Sequence, residues 1–382
     1  MEIRESVKRE FEELVRIRRD LHRIPEYSFD VEETSAYLME YLKQLKPDAL
    51  RVCGGSGIKA VFFAENSQKT IAVRADIDAL RVQEQTGCTY ASDHKGMMHA
   101  CGHDGHMAIA LVCAKMVSEA KKQLKNNYVF LFQPAEETVG GAAPMIEDGA
   151  LKNPDVDEIY GIHLWPDVPL GVVAIKPGPI MAQMCDFDID MQGVSSHSAK
   201  PQDGVDAMVA AAQFVMGVQT IVSRDIDPYE TAVVTIGKVC GGDARNVLCG
   251  QVHLEGTMRA FQPEVISTIK KRIAALLRGI EEAYGVRCDY HEPMSYPVVW
   301  NDEKLFEAAA AKFGDDEAIA AKPFMMAEDF SNYQLHVPGL YSFIGIGEGD
   351  DTPPLHSGEF NFNEQALLNG VEYFLRVIDF ES

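Results

Sequence analysis

The sequence lacks the features that mark membrane, secreted or disulfide-stabilised proteins. No apolar run reaches about 18 residues, so we expect no membrane-spanning helix and no membrane partner. Met1–Asp20 is highly charged and has no apolar centre like that of a secretory signal. The eight cysteines are scattered without close pairs, which does not resemble a disulfide framework in a chain of 382 residues. We therefore expect a cytoplasmic protein.

Positive charge is also scarce. The chain has 35 lysines and arginines against 58 aspartates and glutamates, which gives a net charge of −23 at pH 7. Nucleic-acid binding needs basic surface, so this balance argues against a nucleic-acid partner. Hydrophobic residues make up 46% of the chain, as is normal for a globular protein, and its length predicts two domains.

The apolar pattern predicts an α/β fold. Strands alternate with helices in the first part of the chain, with strands at 59–64, 70–74, 127–132 and 158–162 and helices at 32–45 and 106–124. This alternation favours a mostly parallel sheet covered by helices. Between 183 and 294 the pattern changes to half-buried strands, each followed by a long helix, which predicts a smaller α+β domain with one antiparallel sheet. We expect it to be inserted into a larger domain of residues 1–182 and 295–382.

The richest chemical cluster is Met98–His106, with the sequence MHACGHDGH. It holds one thiol, three imidazoles and one carboxylate within nine residues. These groups gain little by being packed together unless a divalent metal binds them. The cluster therefore indicates an enzyme or a structural domain built around a metal.

Other chemical clusters also follow predicted strands: Gln133–Glu137, Gly161–Pro166 and Pro354–Gly358. In the first of them, Glu136 and Glu137 are adjacent carboxylates, which raise each other's pKa unless a cation compensates. One can bind a metal while the other stays free as a base. Open α/β sheets place their sites at the carboxyl ends of strands, so we expect the clusters to converge there.

In this order, the motifs HACGHDGH, QPAEE, GIHLWP, SSHSAKP, MAEDF and LHS resemble those of the aminoacylase/carboxypeptidase superfamily of dinuclear metallohydrolases. The best-fitting branch is that of the bacterial and plant amidohydrolases, which includes hippurate hydrolases, N-acetyl-amino acid deacetylases and hydrolases of indoleacetyl-amino acids. The resemblance runs from His22 to His356. It implies a metallopeptidase-like catalytic domain, formed by both ends of the chain, and a lid domain through which homodimers, possibly larger homo-oligomers, form.

The resemblance also implies the residues of a metal site. Two divalent metals, zinc or manganese with cobalt or nickel as alternatives, are expected because five ligands are too many for one tetrahedral zinc. The implied ligands are Cys101, His103, Glu137, His163 and His356, and Glu136 is the implied general base. The wider superfamily has a His-x-Asp motif where this chain reads Arg74–Asp78 without a histidine, so we expect Asp78 to orient a ligand imidazole.

Three residues of the predicted lid are candidates for binding substrate. By the resemblance, His197 reaches across a dimer interface and polarises the scissile carbonyl, and Asn246 holds the polar end of the substrate. Arg259 could pair with a substrate carboxylate or support the sheet, and the sequence leaves both open.

The implied reaction is metal-dependent hydrolysis of N-acyl-L-amino acids, with an acetyl or aromatic acyl group, to a carboxylic acid and a free amino acid. One alternative is a metal-dependent dipeptidase, for which we find no group that would recognise a free amino terminus. The other is a metal-binding scaffold without catalysis. The adjacent Glu136 and Glu137 argue against it, because a scaffold needs no free base beside its ligands.

Overall fold

A computed structural model describes residues 1–314, 316–349 and 352–380. The chain forms two compact units. Unit 1 comprises Met1–Ile180, Trp300–Lys322 and Asp329–Ser382, and unit 2 comprises Met181–Val299 and Pro323–Glu328. The division at residues 182 and 294 into a catalytic and a dimerisation domain stays a prediction.

Helices and strands alternate through much of the described chain. In chain order the α-helices are α1 (Glu5–Lys8), α2 (Phe11–His22), α3 (Glu32–Gln44), α4 (His103–Glu119), α5 (Ala142–Glu147), α6 (Ala207–Thr220), α7 (Pro263–Tyr284), α8 (Glu303–Ala310), α9 (Ser331–Gln334) and α10 (Gln365–Val377). The strands are β1 (Ala49–Cys53), β2 (Gly57–Phe62), β3 (Thr70–Asp76), β4 (Asn127–Gln133), β5 (Glu158–Pro169), β6 (Val173–Ile175), β7 (Gly178–Met181), β8 (Gln183–Gln192), β9 (Ala232–Gly241), β10 (Gln251–Ala260), β11 (Arg287–His291), β12 (Ser295–Tyr296), β13 (Val299–Asn301), β14 (Ala318–Ala320) and β15 (Gly339–Gly347).

Unit 1 is built on an eight-stranded sheet in the order β1-β2-β4-β3-β5-β15-β6-β14. Its centre, β4-β3-β5-β15, is parallel, and β2 and β3 are buried along their whole length. Helices including α2, α4 and α10 contribute to the core of this unit. The predicted mostly parallel sheet with covering helices is confirmed, and its parallel strands bring their carboxyl ends to one edge.

Two boundaries next to the chemical clusters differ from the prediction. His163 lies inside β5 rather than after it, because β15 pairs with β5 in parallel register well past Ile162, with Phe343 opposite His163. The sequence of β5 alone does not reveal this partner. Helix α4 begins at His103 rather than near residue 106. Gly102 adopts φ +87°, a conformation that suits glycine, immediately before the helix.

Unit 2 contains an antiparallel sheet in the order β11-β8-β10-β9, with β12 also paired to β8. Alternate side chains of β8, such as Phe187 and Ile189, are buried. They share a core with apolar residues of α6 and α7, such as Phe214 and Ile273. The predicted smaller α+β architecture with one antiparallel sheet is confirmed.

One helical stretch of the described chain, Ala207–Asp225, is long and apolar enough to cross a membrane by length and composition alone. This differs from the expectation based on unbroken apolar runs, because the average over a window tolerates interspersed polar residues. Ala210, Phe214 and Val218 of this stretch are buried in the core of unit 2. Core helices of soluble proteins pass the same test, so one such stretch is weak evidence for a membrane span.

Candidate active site

The structure brings the five predicted metal ligands together in unit 1. The Sγ atom of Cys101, next to the start of α4, lies 3.3 Å from Nε2 of His163 in β5. It lies equally close, at 3.3 Å, to Nε2 of His356 in the loop after β15. That Nε2 atom is in turn 3.3 Å from Oε1 of Glu137, which follows β4. His103 completes the set, with Nε2 3.7 Å from the same Oε1 atom of Glu137.

The donor atoms form two groups that share Cys101. One group is Cys101, His103 and His163, and the other is Cys101, Glu137 and His356; within each, the donor atoms lie within 4.8 Å of one another. A thiol, imidazoles and a carboxylate are the donor types that zinc and similar divalent metals take in proteins. The arrangement therefore offers three protein donors in each of two adjoining positions.

Two buried polar atoms in this cluster fit a bound metal. Nδ1 of His103 donates a hydrogen bond to the backbone oxygen of Asp78 at 2.8 Å, which leaves the Nε2 atom facing the other donors. Among the described residues, neither this Nε2 atom nor Oε1 of Glu137 has a hydrogen-bond partner. Buried polar atoms are rarely left unpaired, and a cation bound in each donor group would satisfy one of these two atoms.

The charges at the site also favour a cation. Burial, together with the nearby Glu137 and Glu136, raises the pKa of the Cys101 thiol well above its usual value. Burial lowers the pKa of His103, but Asp76, Asp78 and Glu137 outweigh it and raise that pKa to about 10. Without a metal, the thiol therefore keeps its proton and His103 is cationic. A metal that binds these atoms must displace both protons, so its affinity falls as the pH falls.

Asp78 contacts both halves of the site. Its backbone oxygen fixes the tautomer of His103, as described above, and its carboxylate Oδ1 lies 3.7 Å from Nδ1 of that ring. The same carboxylate accepts the backbone N–H groups of Glu136 and Glu137, each at 3.1 Å. Asp78 is fully buried, so it connects the start of α4 to the loop after β4.

Left-handed backbone conformations occur at two places in the site. Ala135, directly before Glu136, has φ +60°, and His356 has φ +62°. For residues other than glycine, such conformations cost of the order of 1–3 kcal/mol and tend to occur at functional sites.

The side chain of Glu136 is 11% exposed, and its Oε2 atom lies 4.0 Å from Nε2 of His103. It thus lies beside the donor cluster and keeps some access to solvent.

Asp76 and His106 form a group that positions His163, and sequence reasoning missed the part of Asp76 in it. Asp76 lies 2.6 Å from Nδ1 of His106, whose Nε2 accepts the backbone N–H of Leu164 at 2.9 Å. Because Nε2 of His106 is the acceptor, Nδ1 of that ring carries the proton and donates a hydrogen bond to Asp76. Nδ1 of His163 donates to the oxygen of Leu164 at 2.8 Å, so its Nε2 atom is left for the cluster. Gly105 permits this packing, because a Cβ atom there would lie 2.6 Å from Cδ1 of Leu164.

A second missed group supports the carboxyl ends of β3 and β4. Arg74 bonds Asp76 at 2.7 Å and Asp329 at 2.8 Å, and all three side chains are buried. Asp329 also accepts both a bond from Gln133 at 2.8 Å and the backbone N–H of Ala142 at 2.9 Å. Asp76 and Asp78, two residues apart, were the available sequence signal, whereas Asp329 is 255 residues from Arg74 and gave none.

The predicted substrate-binding residues all belong to unit 2. Two of them lie on neighbouring segments: His197 forms a β-bridge with Val247, and the N–H of Ser198 donates to the oxygen of Asn246 at 3.0 Å. Both His197 and Asn246 are exposed. Arg259, on β10, instead donates to the backbone oxygen of Met325 at 2.9 Å. This contact supports the structural alternative for Arg259.

A mostly parallel sheet with thiol, imidazole and carboxylate donors at its carboxyl edge fits a metal-dependent hydrolase. Comparison with family profiles specifies the family. Residues 72–379 match the profile described as Peptidase family M20/M25/M40, and the chain belongs to this family. The resemblance inferred from the motifs is thereby confirmed.

Relatives of known name cover almost the whole chain. The N-acetyl-L-cysteine deacetylase of Bacillus subtilis is 38% identical over 369 residues, which cover 95% of this chain and 86% of the relative. The N-acetyldiaminopimelate deacetylase of Listeria monocytogenes is 37% identical over 371 residues and covers 96% and 99%. The Bacillus subtilis YXEP protein, described as a dinuclear metal-binding peptidase of the M20 family, has a solved structure with a TM-score of 0.85 and 34% identity, covering 97% and 99%.

Proposed function

We propose that this protein is a metal-dependent amidohydrolase that removes the acyl group, most readily acetyl, from N-acyl-L-amino acids. The observation that carries the proposal is the convergence of five metal-type donors with Glu136 beside them. The deacetylases named above support the choice of an acetylated amino acid. The free thiol of Cys101 agrees with the reducing cytoplasm predicted from the sequence.

Two divalent metal ions are proposed, zinc or manganese first and cobalt or nickel as alternatives. Cys101, His103 and His163 would hold one ion, and Cys101, Glu137 and His356 the other, with the thiolate shared. Bound metals of this kind polarise a water molecule and the amide carbonyl. The structure of the Bacillus subtilis YXEP protein supports the number of ions, because that protein is described as a dinuclear metal-binding peptidase.

Glu136 is proposed as the general base. Its neighbour Glu137 is proposed to bind a metal, so the carboxylate of Glu137 is not free to accept a proton. In this scheme Glu136 takes a proton from the attacking water as the new C–O bond forms at the acyl carbon. When the C–N bond breaks, Glu136 delivers that proton to the leaving nitrogen, and the products are a carboxylic acid and a free amino acid. Asp78 holds the backbone of both glutamates, so it is proposed to position them.

A substrate screen tests the proposed reaction. We expect the metal-replete protein to release amine from N-acetyl-amino acids, including N-acetyl-L-cysteine and N-acetyldiaminopimelate, faster than from benzoyl- and indoleacetyl-amino acids or from dipeptides. The Glu136→Gln variant serves as the inactive control. Faster cleavage of dipeptides with a free amino terminus would favour the dipeptidase, and no release from any compound would favour the scaffold.

His197 is proposed to stabilise the oxyanion across a homodimer interface formed by unit 2, while Asn246 is proposed to hold the polar end of the substrate. We expect His197→Ala to lower kcat by about 100-fold, as the loss of an oxyanion donor does, without loss of metal. The exposed His336, changed to alanine, is the matched control.

Mixed dimers test whether His197 acts on the partner's site. Co-refolded His197→Ala and Glu136→Gln chains should regain about a quarter of wild-type activity, because half of randomly paired dimers are mixed and each has one complete site. If His197 acts within its own chain, or if the protein is monomeric, the mixture will stay as inactive as its components.

A further inference from the structure

A second group of metal-type donors lies in unit 1, outside the candidate active site. It consists of His22, at the end of α2, and of Glu84 and Cys88, in the segment between β3 and α4. Their donor atoms lie within 4.8 Å of one another. Nε2 of His22 is 3.4 Å and Sγ of Cys88 is 3.6 Å from Oε1 of Glu84. None of these residues belongs to the five-ligand set or contacts Glu136 in a hydrogen bond that the structure describes.

The imidazole of His22 is oriented as a metal ligand would be. Its Nδ1 atom is 2.8 Å from the carboxylate of Asp104, so Nε2 faces Glu84 and Cys88. A carboxylate that holds the remote ring nitrogen is the usual partner of a metal-binding histidine. Asp104 is itself fixed by Arg18 at 3.1 Å, and the side chains of His22 and Glu84 are only 1% and 5% exposed. The ring therefore cannot turn away without breaking a buried ion pair.

We propose that His22, Glu84 and Cys88 form an additional binding site for a divalent cation of the zinc type. One imidazole, one thiolate and one carboxylate give three of the four tetrahedral positions that zinc takes, and water can fill the fourth. Magnesium and calcium prefer oxygen donors only, so this donor set disfavours them. Cys88 is half-buried, which leaves a route for the ion.

The charge balance of the cluster allows a divalent cation to take the place of protons. Burial lowers the pKa of His22, but its bonds to Asp104 and Glu84 outweigh burial and raise that pKa to about 9. The metal-free cluster therefore carries a proton on Nε2 of His22, and the S–H group of Cys88 donates a hydrogen bond to Glu84. A divalent cation that displaces both protons leaves the net charge unchanged. The nearby Arg18 does not repel the ion strongly, because Asp104 and Glu364 neutralise it.

The position of the cluster suggests what the ion would do. It would join the end of α2 to the segment before α4, and Asp104 extends that connection into the first turn of α4, beside His103. A cation bound there stabilises the folded state by an amount that grows with the logarithm of its concentration over its Kd, because the unfolded chain does not hold these donors together. The inferred role is structural and is independent of the amide-hydrolase chemistry.

Zinc content tests the proposal with Cys88→Ser, which keeps the size of the side chain and removes the thiolate. After equilibrium dialysis against free zinc, we expect wild type to hold one more zinc per chain than Cys88→Ser, measured by mass spectrometry of the metal. Cys240→Ser, which alters an exposed cysteine of unit 2, is the matched control and should bind as wild type. Glu84→Gln provides a second variant that should lose the same equivalent.

A second readout separates this site from the active site. Zinc should raise the Tm of wild type by more than that of Cys88→Ser, and both should retain N-acetyl-amino acid hydrolysis if the proposed function holds. The zinc content and the Tm do not depend on hydrolysis, so both can be compared again in Glu136→Gln chains with and without Cys88→Ser. The test of the additional site therefore holds even if the protein hydrolyses none of the substrates. Equal zinc content in wild type and Cys88→Ser would overturn the proposal, as would an equal loss in Cys240→Ser, which would mean adventitious binding to thiols.

Discussion

Replacing Glu136 with glutamine is expected to lower kcat for an N-acetyl-amino acid by about 10²–10⁴-fold, the usual contribution of a general base. The amide of glutamine has nearly the shape of the carboxylate but cannot accept the proton of the attacking water. Because Glu136 is not among the five donors, the variant should keep its metal. Steady-state kinetics and metal analysis of the same preparation measure the two quantities.

Glu137→Gln is the matched comparison, since it makes the same chemical change one residue further along. Glu137 lies in the donor group with Cys101 and His356, so this variant should lose metal as well as activity. The assignment of the base would be wrong if Glu136→Gln, fully loaded with metal, hydrolysed substrate at the wild-type rate. It would be reversed if only Glu137→Gln kept its metal.

Changing Cys101 to alanine is expected to weaken binding of both metals. Its Sγ atom lies 3.3 Å from a histidine of each donor group, so one substitution removes a donor from both. Loss of a residue that hydrogen-bonds to a metal ligand already costs about 10–100-fold in metal affinity. Loss of a ligand shared by two metals should cost at least as much. Titration of the metal-free protein, followed by calorimetry, gives the affinity and the number of ions bound.

His163→Ala and His356→Ala provide the contrast, because each belongs to one donor group only. Each should weaken one binding step and leave the other nearly at its wild-type affinity. If Cys101→Ala also weakened only one step, the thiolate would belong to a single metal. The sharing inferred from the distances would then be incorrect, whereas the five-ligand set would still stand.

The donor residues could be found from the sequence because their signals are local. Cys101 and His103 lie in one short motif, and Glu136 and Glu137 directly follow an apolar strand. The resemblance to a known family added His163 and His356, which have no such dense surroundings. The fold class could be predicted for a similar reason, since the apolar period records which faces of a segment are buried.

The supporting residues could not be found this way, because their roles depend on contacts distant in sequence. The motif around Asp78 indicated no role for Asp76, which in the structure holds His106 and thereby the backbone beside His163. Asp329 had no recognisable signal beyond its place in the motif MAEDF, and only the folded chain places it against Arg74 and Gln133. Sequence spacing alone does not distinguish such a buried hydrogen-bond acceptor from a residue on the surface.

The five candidate ligands and Glu136 lie in unit 1, whereas His197, Asn246 and Arg259 lie in unit 2. In evolutionary terms, this separation means that substitutions in the two units are constrained in different ways. Substitutions in unit 1 are restricted by the demands of holding metal, which are the same for any amide substrate. Unit 2 holds none of the candidate metal ligands, so a lineage that keeps His197 can acquire a new acyl or amino acid preference there without altering the metal site.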